Sequence, residues 1–433
     1  MCRAMVGLAD VEIVGVIPWT APMQVHIAST LPRPSCTTCG SSARVKQTMR
    51  RRLADLPSFG RPVVTVWRQI RWRCPNVTCP VGSWMQTDPR IVVGNRGMTD
   101  RAARWACEQV GRHGRSVAEV ADDLGCDWHT VNRAVIAYGL ALVDDPDRIG
   151  PVATLGLDET AFVRRGPYRQ RLWSTQLVGD GQLLDVVPGR DAAPACAWLA
   201  ARPQAWRDGI DWVTLDLAGS YRSVADTMLP DAVQVADPFH VVRVANERLD
   251  EVRRRVQNET LGHRGRKSDP LYRTRRLLVM ADERLTEDAK QRRRGLLAAG
   301  DPKGEVADAW TAKEAVREIY RIADPDVALD WVLELADTLE DPTYCPEIQR
   351  LGRTLRRWSS QIAAWHRSRA SNGPVEAVNN LAKRVKRVAF GITNWTHWRV
   401  RVLLYAGRPD WTKLATISPV APGELPKSLI SSH

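Results

Sequence analysis

Two aspartates stand where a chain could hold divalent cations. Asp158 follows the apolar stretch from Leu155 to Leu157, and Asp216 follows the one from Trp212 to Leu215. Each is expected to close a short strand. Strand ends are rigid and let side chains converge, which suits a pair of divalent cations. A carboxylate buried there without a cation or a partner is costly. The stretch from Ser371 to Arg387 offers a third carboxylate. Asn372 or Gly373 can cap a helix and Pro374 fits its first turn, so Glu376 lies near the positive end of the helix dipole, which favours its ionised form. Glu376, Asn380, Lys383 and Arg387 follow an i, i+4, i+7, i+11 spacing and share one face. A carboxylate, an amide and two cations on one stripe suit a phosphodiester at a metal centre. Asp237 also ends an apolar run and competes with Asp216 for the second position. Asp216 is preferred, with Asp237 and His240 as supporting groups nearby.

A second set of ligands has softer chemistry. Cys36-x2-Cys39 and Cys74-x4-Cys79 supply four sulfurs as two knuckles, the donor set of one structural Zn²⁺, and Gly40 favours a tight first knuckle. The isolated Cys107, Cys126, Cys196 and Cys345 are expected to be buried structural thiols. Nine cysteines, an odd number in a chain of 433 residues, make no disulfide scaffold and point to a reducing compartment.

The elements that must position these ligands change character along the chain. Residues 1–95 read as a β-rich domain around the cysteines, with strands over Val11–Ile17, Met23–Ala28 and Val63–Trp72. Residues 96–148 take helical spacing, and Ser116 to Gly125 followed by Asp127 to Arg133 reads as helix, Gly turn, helix, the outline of a helix-turn-helix. From Val152 the expected order is β-β-β-α-β-α-β: strands over Ala153–Leu157, Arg171–Val178 and Leu183–Val187, with a hairpin turn at Gly179 to Gly181. A helix from Asp191 to Ala205, a strand Trp212–Asp216, a helix from about Ser220 to Met228 and a strand Val233–Asp237 complete a mixed sheet with helices on its faces. Residues 241–368 are helical and Arg-rich, with clusters at Arg253 to Arg255, Arg264 to Lys267, Arg273 to Arg276 and Arg292 to Arg294 that in succession lean toward DNA. Another helical region covers 369–408, and the tail 409–433 is expected to be extended or frayed.

Composition narrows the function classes. A hydrophobic fraction of 44% and a charged fraction of 26% exclude wholesale disorder, and no uncharged apolar run reaches the roughly 18 residues of a membrane span. The N-terminus lacks a secretory layout, so a cytoplasmic location and no membrane partner are expected. The formal charge of +13 points to a polyanion, because Lys and Arg gain affinity by neutralising phosphates and releasing counterions.

In this combination and order the motifs resemble bacterial insertion-sequence transposases of the ISL3 family, DDE enzymes with an RNase H-like catalytic domain. The resemblance covers roughly residues 5–405. It is carried by the paired cysteines, the helix-turn-helix, Gly156 with Asp158 and Glu159, Asp216 with Tyr221, Asp237 with His240, and Ser371 through Glu376, Asn379 and Asn380 to Arg387 and Gly391. It departs at Ala377, where relatives often carry Gly.

The resemblance implies a multidomain α+β chain: a zinc-binding β-rich domain, a helix-turn-helix, an RNase H-like α/β core split between 149–240 and 369–408, and a large all-helical insertion at 241–368. It also implies a triad of Asp158, Asp216 and Glu376 holding two Mg²⁺ (or Mn²⁺) ions, with one structural Zn²⁺ on the four cysteines. The partner is then double-stranded DNA, both terminal inverted repeats and target, acted on by cleavage and strand transfer in the nucleoid. DNA contacts are expected from Trp128, His129, Thr130, Asn132, Arg133, Asn380, Lys383 and Arg387. Joining two ends calls for a homo-oligomer, at least a dimer in the synaptic complex. The rival reading is a non-catalytic DNA-binding regulator derived from a transposase, against which all three acidic positions are filled. Trp310, Trp331, Trp358 and Trp365 are expected to pack helices rather than stack on bases.

Overall fold

The computed structural model describes residues 7, 11–94, 96–165, 170–217, 219–263 and 265–420. They fall into two compact units. The first contains residues up to 150, 162–168 and the chain from 380 onward, and the second contains 151–161 and 169–379.

The first unit begins with β1 (Val11–Ile17), β2 (Met23–Ser29), β3 (Arg44–Ser58), β4 (Arg61–Arg73) and β5 (Ser83–Met85), in the order β1-β2-β4-β3 with β5 on β4. β1, β2 and β4 match the expected strands. β3 does not follow from the apolar pattern, because its first half, Arg44 to Arg50, is exposed and mostly polar, and only Leu53 to Asp55 are buried. It forms as the partner of β4, through a tight turn at Phe59 and Gly60, whose φ values of 53° and 70° are those the favoured two-residue hairpin turn requires. Val25, Ile27, Leu53, Val63, Trp67 and Ile91 form the core against this sheet.

Helices α1 (Asp100–Gly111), α2 (Val117–Leu124) and α3 (Trp128–Val143) follow. Each start is capped by a side chain: Thr99, Ser116 with its reciprocal Glu119, and Asp127. Gly125 ends α2 at φ 62°, and a Cβ there would come within 2.8 Å of Pro62. Conformation and space both demand Gly at this turn. A buried Asp55 ties the sheet to the helices, accepting from Arg101 at 2.8 and 2.6 Å and from the hydroxyls of Thr65 and Thr99.

The second unit is built on β6 (Thr154–Arg165, whose residues 162–165 belong to the first unit), β7 (Gln170–Gly179), β8 (Gln182–Pro188), β9 (Trp212–Leu215) and β10 (Val233–Ala236). The sheet order is β10-β9-β6-β7-β8, with β7 and β8 antiparallel, β9 parallel to β6 and β10 parallel to β9. The hairpin turn falls at Asp180 and Gly181, as expected. The single helix expected over Asp191–Ala205 is two, α4 (Ala192–Ala200) and α5 (Gln204–Asp208). Pro203 breaks it, since Pro lacks the amide proton and disfavours helical geometry in the preceding residue. α6 (Gly219–Met228) joins β9 to β10.

After β10 come α7 (Pro238–Leu261), α8 (Pro270–Val279), α9 (Glu287–Gly300), α10 (Glu305–Glu318), α11 (Pro325–Glu340), α12 (Pro346–Arg357) and α13 (Ser359–Ser368). The chain then enters α14 (Gly373–Val388), and α15 (Trp395–Ala406) follows a break at Phe390 and Gly391, both with positive φ. In the first unit α15 packs on α3, where a Cβ at Gly139 would meet Val400 at 2.6 Å.

The Arg clusters of the helical stretch divide. Arg253 pairs with Asp250, Arg255 gathers Glu259, Glu305 and Glu347, and Arg293 binds Asp282 while its guanidinium covers Trp310 at 3.7 Å. Arg255 and Arg293 hold different helices together, Arg253 is paired within α7, and none of the three is offered to phosphates. Arg254, Arg273, Arg276, Arg292 and Arg294 are exposed, and Arg264 lies outside the described residues. Trp358 is buried and Trp310 and Trp365 are partly enclosed, whereas Trp331 is 41% exposed. Residues 411–415 of the tail form a 3-10 turn capped by Asp410, and residues 421–433 lie outside the described residues. Among the described residues no helix is long and apolar enough to cross a membrane.

Candidate active site and metal-ligand clusters

Asp158 sits in mid-strand, not at a strand end. β6 continues to Arg165, but its pairing with parallel β9 stops at Gly156 opposite Thr214. Asp158 and Asp216 therefore meet where the partner strand gives out. Carboxylate oxygens of Asp158, Glu159 and Asp216 lie within 4.8 Å of one another, all three side chains half-buried. The sequence pattern does not mark Glu159 as a ligand. The signal was present in its position beside Asp158, but strand alternation argues that neighbours face apart. What holds it is Tyr221, whose hydroxyl donates to Glu159 at 2.9 Å and lies 3.1 Å from the Thr175 hydroxyl. Burial pushes the Tyr221 phenol far above its ordinary value, so it stays a donor.

Glu376 opens α14 as expected, but its carboxylate is not part of that group and its side chain is exposed, as are Asn380, Lys383 and Arg387 on the same stripe. The first two turns of α14 are closely seated nonetheless. Val375 occupies the space a side chain at Gly156 would need, a Cβ there falling 2.3 Å from Val375 Cγ2. The Asn372 backbone N–H donates to Asp237 Oδ1 at 2.9 Å. Asn379, buried, donates from Nδ2 to Asp158 Oδ2 at 2.6 Å and accepts from the Thr160 hydroxyl at 3.0 Å.

Asp237 thus has a structural task. Its second oxygen caps α7 by accepting from the His240 amide at 3.2 Å and contacts His240 Nδ1 at 3.1 Å. Burial opposes the charge on His240, yet the Asp237 contact prevails and raises its pKa. Asp237 is held below the usual carboxylate range, against its own burial, by His240 and the Asn372 amide.

The four predicted cysteines converge. Cys36 and Cys79 have Sγ atoms 3.7 Å apart, Cys39 and Cys74 3.4 Å, and all four Sγ lie within 4.8 Å of one another. Ligands about 2.3 Å from a tetrahedral centre have edges of about 3.8 Å, so these spacings fit Zn²⁺. Hydrogen bonds with Ser41 lower Cys39 to about 6, while desolvation raises Cys74 to about 12. Of the cysteines expected to be buried, Cys107 and Cys345 are, whereas Cys126 and Cys196 are only partly so.

In the helix-turn-helix, Trp128, His129 and Arg133 are exposed at the start of α3, and Thr130 is partly covered, its hydroxyl donating to Asp127. Asn132 is 5% exposed and faces the interior.

The model of a family described as "Transposase", DDE type, ISL3, matches residues 155–402, more than half of the chain. The chain belongs to the ISL3 transposase family. A second model, the helix-turn-helix domain of the same transposase family, matches residues 89–139, which contain α1, α2 and most of α3. The transposase for insertion sequence element IS1557 of Mycobacterium tuberculosis is 26% identical over 400 residues, covering 81% of this chain and 86% of that protein. The transposase for insertion sequence element IS1001 of Bordetella parapertussis is 25% identical over 391 residues, covering 88% and 90%.

Proposed function

We propose that the chain is an active DNA transposase that binds the terminal inverted repeats of its element and performs metal-dependent cleavage and strand transfer. The observation that carries this is the convergence of Asp158 and Asp216 where β9 ends beside β6, with α14 seated against the same strand. The strand order β10-β9-β6-β7-β8 supports an RNase H-like reading of this sheet, with α7 to α13 as an insertion ahead of the helix that carries Glu376.

Asp158, Asp216 and Glu376 form the triad in this reading. The oxygens of Asp158, Glu159 and Asp216 are hard ligands at a separation that fits Mg²⁺ or Mn²⁺. Held by these carboxylates, a pair of such ions would supply activation of water or a DNA 3′-hydroxyl and stabilisation of the departing oxygen. The protein's part is to hold its carboxylates ionised and aimed, and to present DNA from Asn380, Lys383 and Arg387 along the exposed stripe. Trp128, His129 and Arg133, with Thr130 beside them, are the side chains of α3 open to a major groove. Zn²⁺ on Cys36, Cys39, Cys74 and Cys79 stiffens the β-rich region. Two ends must be brought together, so the working unit is at least a dimer, acting in the cytoplasm on nucleoid DNA.

The test incubates purified protein and Mg²⁺ or Mn²⁺ with DNA carrying the ends that flank its own gene. Cleaved and joined products are expected, absent with Asp158→Asn. Tight, specific binding with no cleavage by the wild type would instead favour a DNA-binding regulator.

A further inference from the structure

We propose that Asn379 is a positioning residue for the acidic site: its amide fixes the Asp158 carboxylate and sets the register of α14, which carries Glu376, against β6. The proposal rests on the transposase reading above. Asn379 is 4% exposed and spends both ends of its amide on β6. Asp158 and Thr160, two residues apart, present side chains to the same face of the strand. An ionised carboxylate only accepts, so Nδ2 must be the atom facing Asp158 Oδ2 at 2.6 Å. The Thr160 hydroxyl, 5% exposed, then donates to Oδ1 at 3.0 Å. Flipping the amide would set its oxygen against the Asp158 carboxylate, so Nδ2 stays on Asp158 while the Thr160 hydroxyl holds the other end of the amide in place.

The other oxygen of Asp158 accepts from the Glu159 amide at 2.7 Å, so the plane of the carboxylate is held from both sides. The residue type fits this task. A Lys or Arg would also donate, but would cancel the negative charge that a cation needs; an Asp would repel Asp158. An amide orients the carboxylate and leaves its charge intact. Asn379 also lies three residues beyond Glu376, hence on an adjacent part of the helix surface. With Val375 set over Gly156 and the Asn372 amide on Asp237, its hold on Asp158 fixes where along β6 the exposed Glu376 stands.

The full chain is tested as Asn379→Ala, Thr160→Val, Thr160→Ser and the double variant Asn379→Ala with Thr160→Val. Mn²⁺ binding without DNA is read from loss of the free-ion electron paramagnetic resonance signal. The Mn²⁺ midpoint for cleavage of end DNA is read in parallel. Asn379→Ala is expected to weaken Mn²⁺ about tenfold or more in both readouts, the scale of a lost outer-sphere partner of a metal ligand. Thr160→Val gives a smaller weakening, and Thr160→Ser restores the wild-type midpoint. The double variant is no weaker than Asn379→Ala alone, because Thr160 acts through Asn379. An Asn379→Ala protein that binds Mn²⁺ as the wild type does, whatever its melting temperature, overturns the proposal. If Asn379→Ala does not fold, the Thr160 pair decides: equal Mn²⁺ midpoints for Val and Ser overturn it equally. A wild type that binds Mn²⁺ but cuts no end DNA defeats the transposase reading, while the resonance measurement still decides the role of Asn379.

Discussion

The sulfur cluster and the carboxylate cluster make opposite demands on the chain. Cys36 and Cys39 come from one knuckle and Cys74 and Cys79 from another, and the β3–β4 hairpin brings the two together. These two knuckles alone bring all four sulfurs within 4.8 Å of one another. The proposed triad draws on β6, the end of β9 and the start of α14, so three distant parts of the sequence must agree. Two predicted members meet, an unpredicted third, Glu159, joins them, and Glu376 stays exposed outside the group. A site made of local knuckles is assembled by turn geometry. One made of distant elements depends on the groups that lock the elements in register, here Gly156, Asp237 and Asn379.

The largest effects are expected at the proposed triad. Asp158→Asn and Glu376→Gln should each cut strand joining by several kcal/mol, about a thousandfold, in a product assay. Mn²⁺ binding in the absence of DNA should fall far more for Asp158→Asn, since Glu376 lies outside the preformed group. Equal losses would mean that Glu376 belongs to the resting site. Cys74→Ser should take the bound zinc from one ion per chain to none, measured by elemental analysis, and open residues 36–79 to limited proteolysis, because binding energy at such sites is folding energy. Glu159→Gln should lower the joining rate about 10- to 100-fold, and Tyr221→Phe less, as befits a ligand and its outer partner.

Smaller effects concern stability. Asp55→Ala leaves Arg101, Thr65 and Thr99 without their shared acceptor and should cost about 3 kcal/mol in urea unfolding, the lower end for a buried pair because Arg101 is partly exposed. His240→Gln should lower the melting temperature in a pH-dependent way. The folded pKa of His240 lies above 6.5, so its contribution is fully present below pH 6.5 and is lost as pH rises through the raised value. The difference from wild type is therefore expected to be larger at pH 6 than at pH 9, in melting curves recorded without added metal.

Much of this was legible in the sequence. Capping and Gly125 mark the helix-turn-helix, paired cysteines mark the knuckles, and the meander before Asp191 with the linked strands after it gives the sheet. β3 was hidden because its exposed half carries Arg and Lys where a strand pattern needs apolar alternation; its partner β4 dictates it. Arg255 read as one of a basic run because a sequence does not show that Glu305 and Glu347 surround it. Glu159 was missed for a similar reason: Tyr221, far along the chain, holds its carboxylate near Asp158.

The most direct test of the acidic site compares Asp216→Asn with Asp237→Asn in strand joining on DNA carrying both element ends. Asp216 lies in the carboxylate group, while both oxygens of Asp237 serve the α7 cap, His240 and the Asn372 amide. Joining should vanish with Asp216→Asn and persist, reduced, with Asp237→Asn. Joining that survives in Asp216→Asn and is abolished in a folded Asp237→Asn protein would contradict this account of the site.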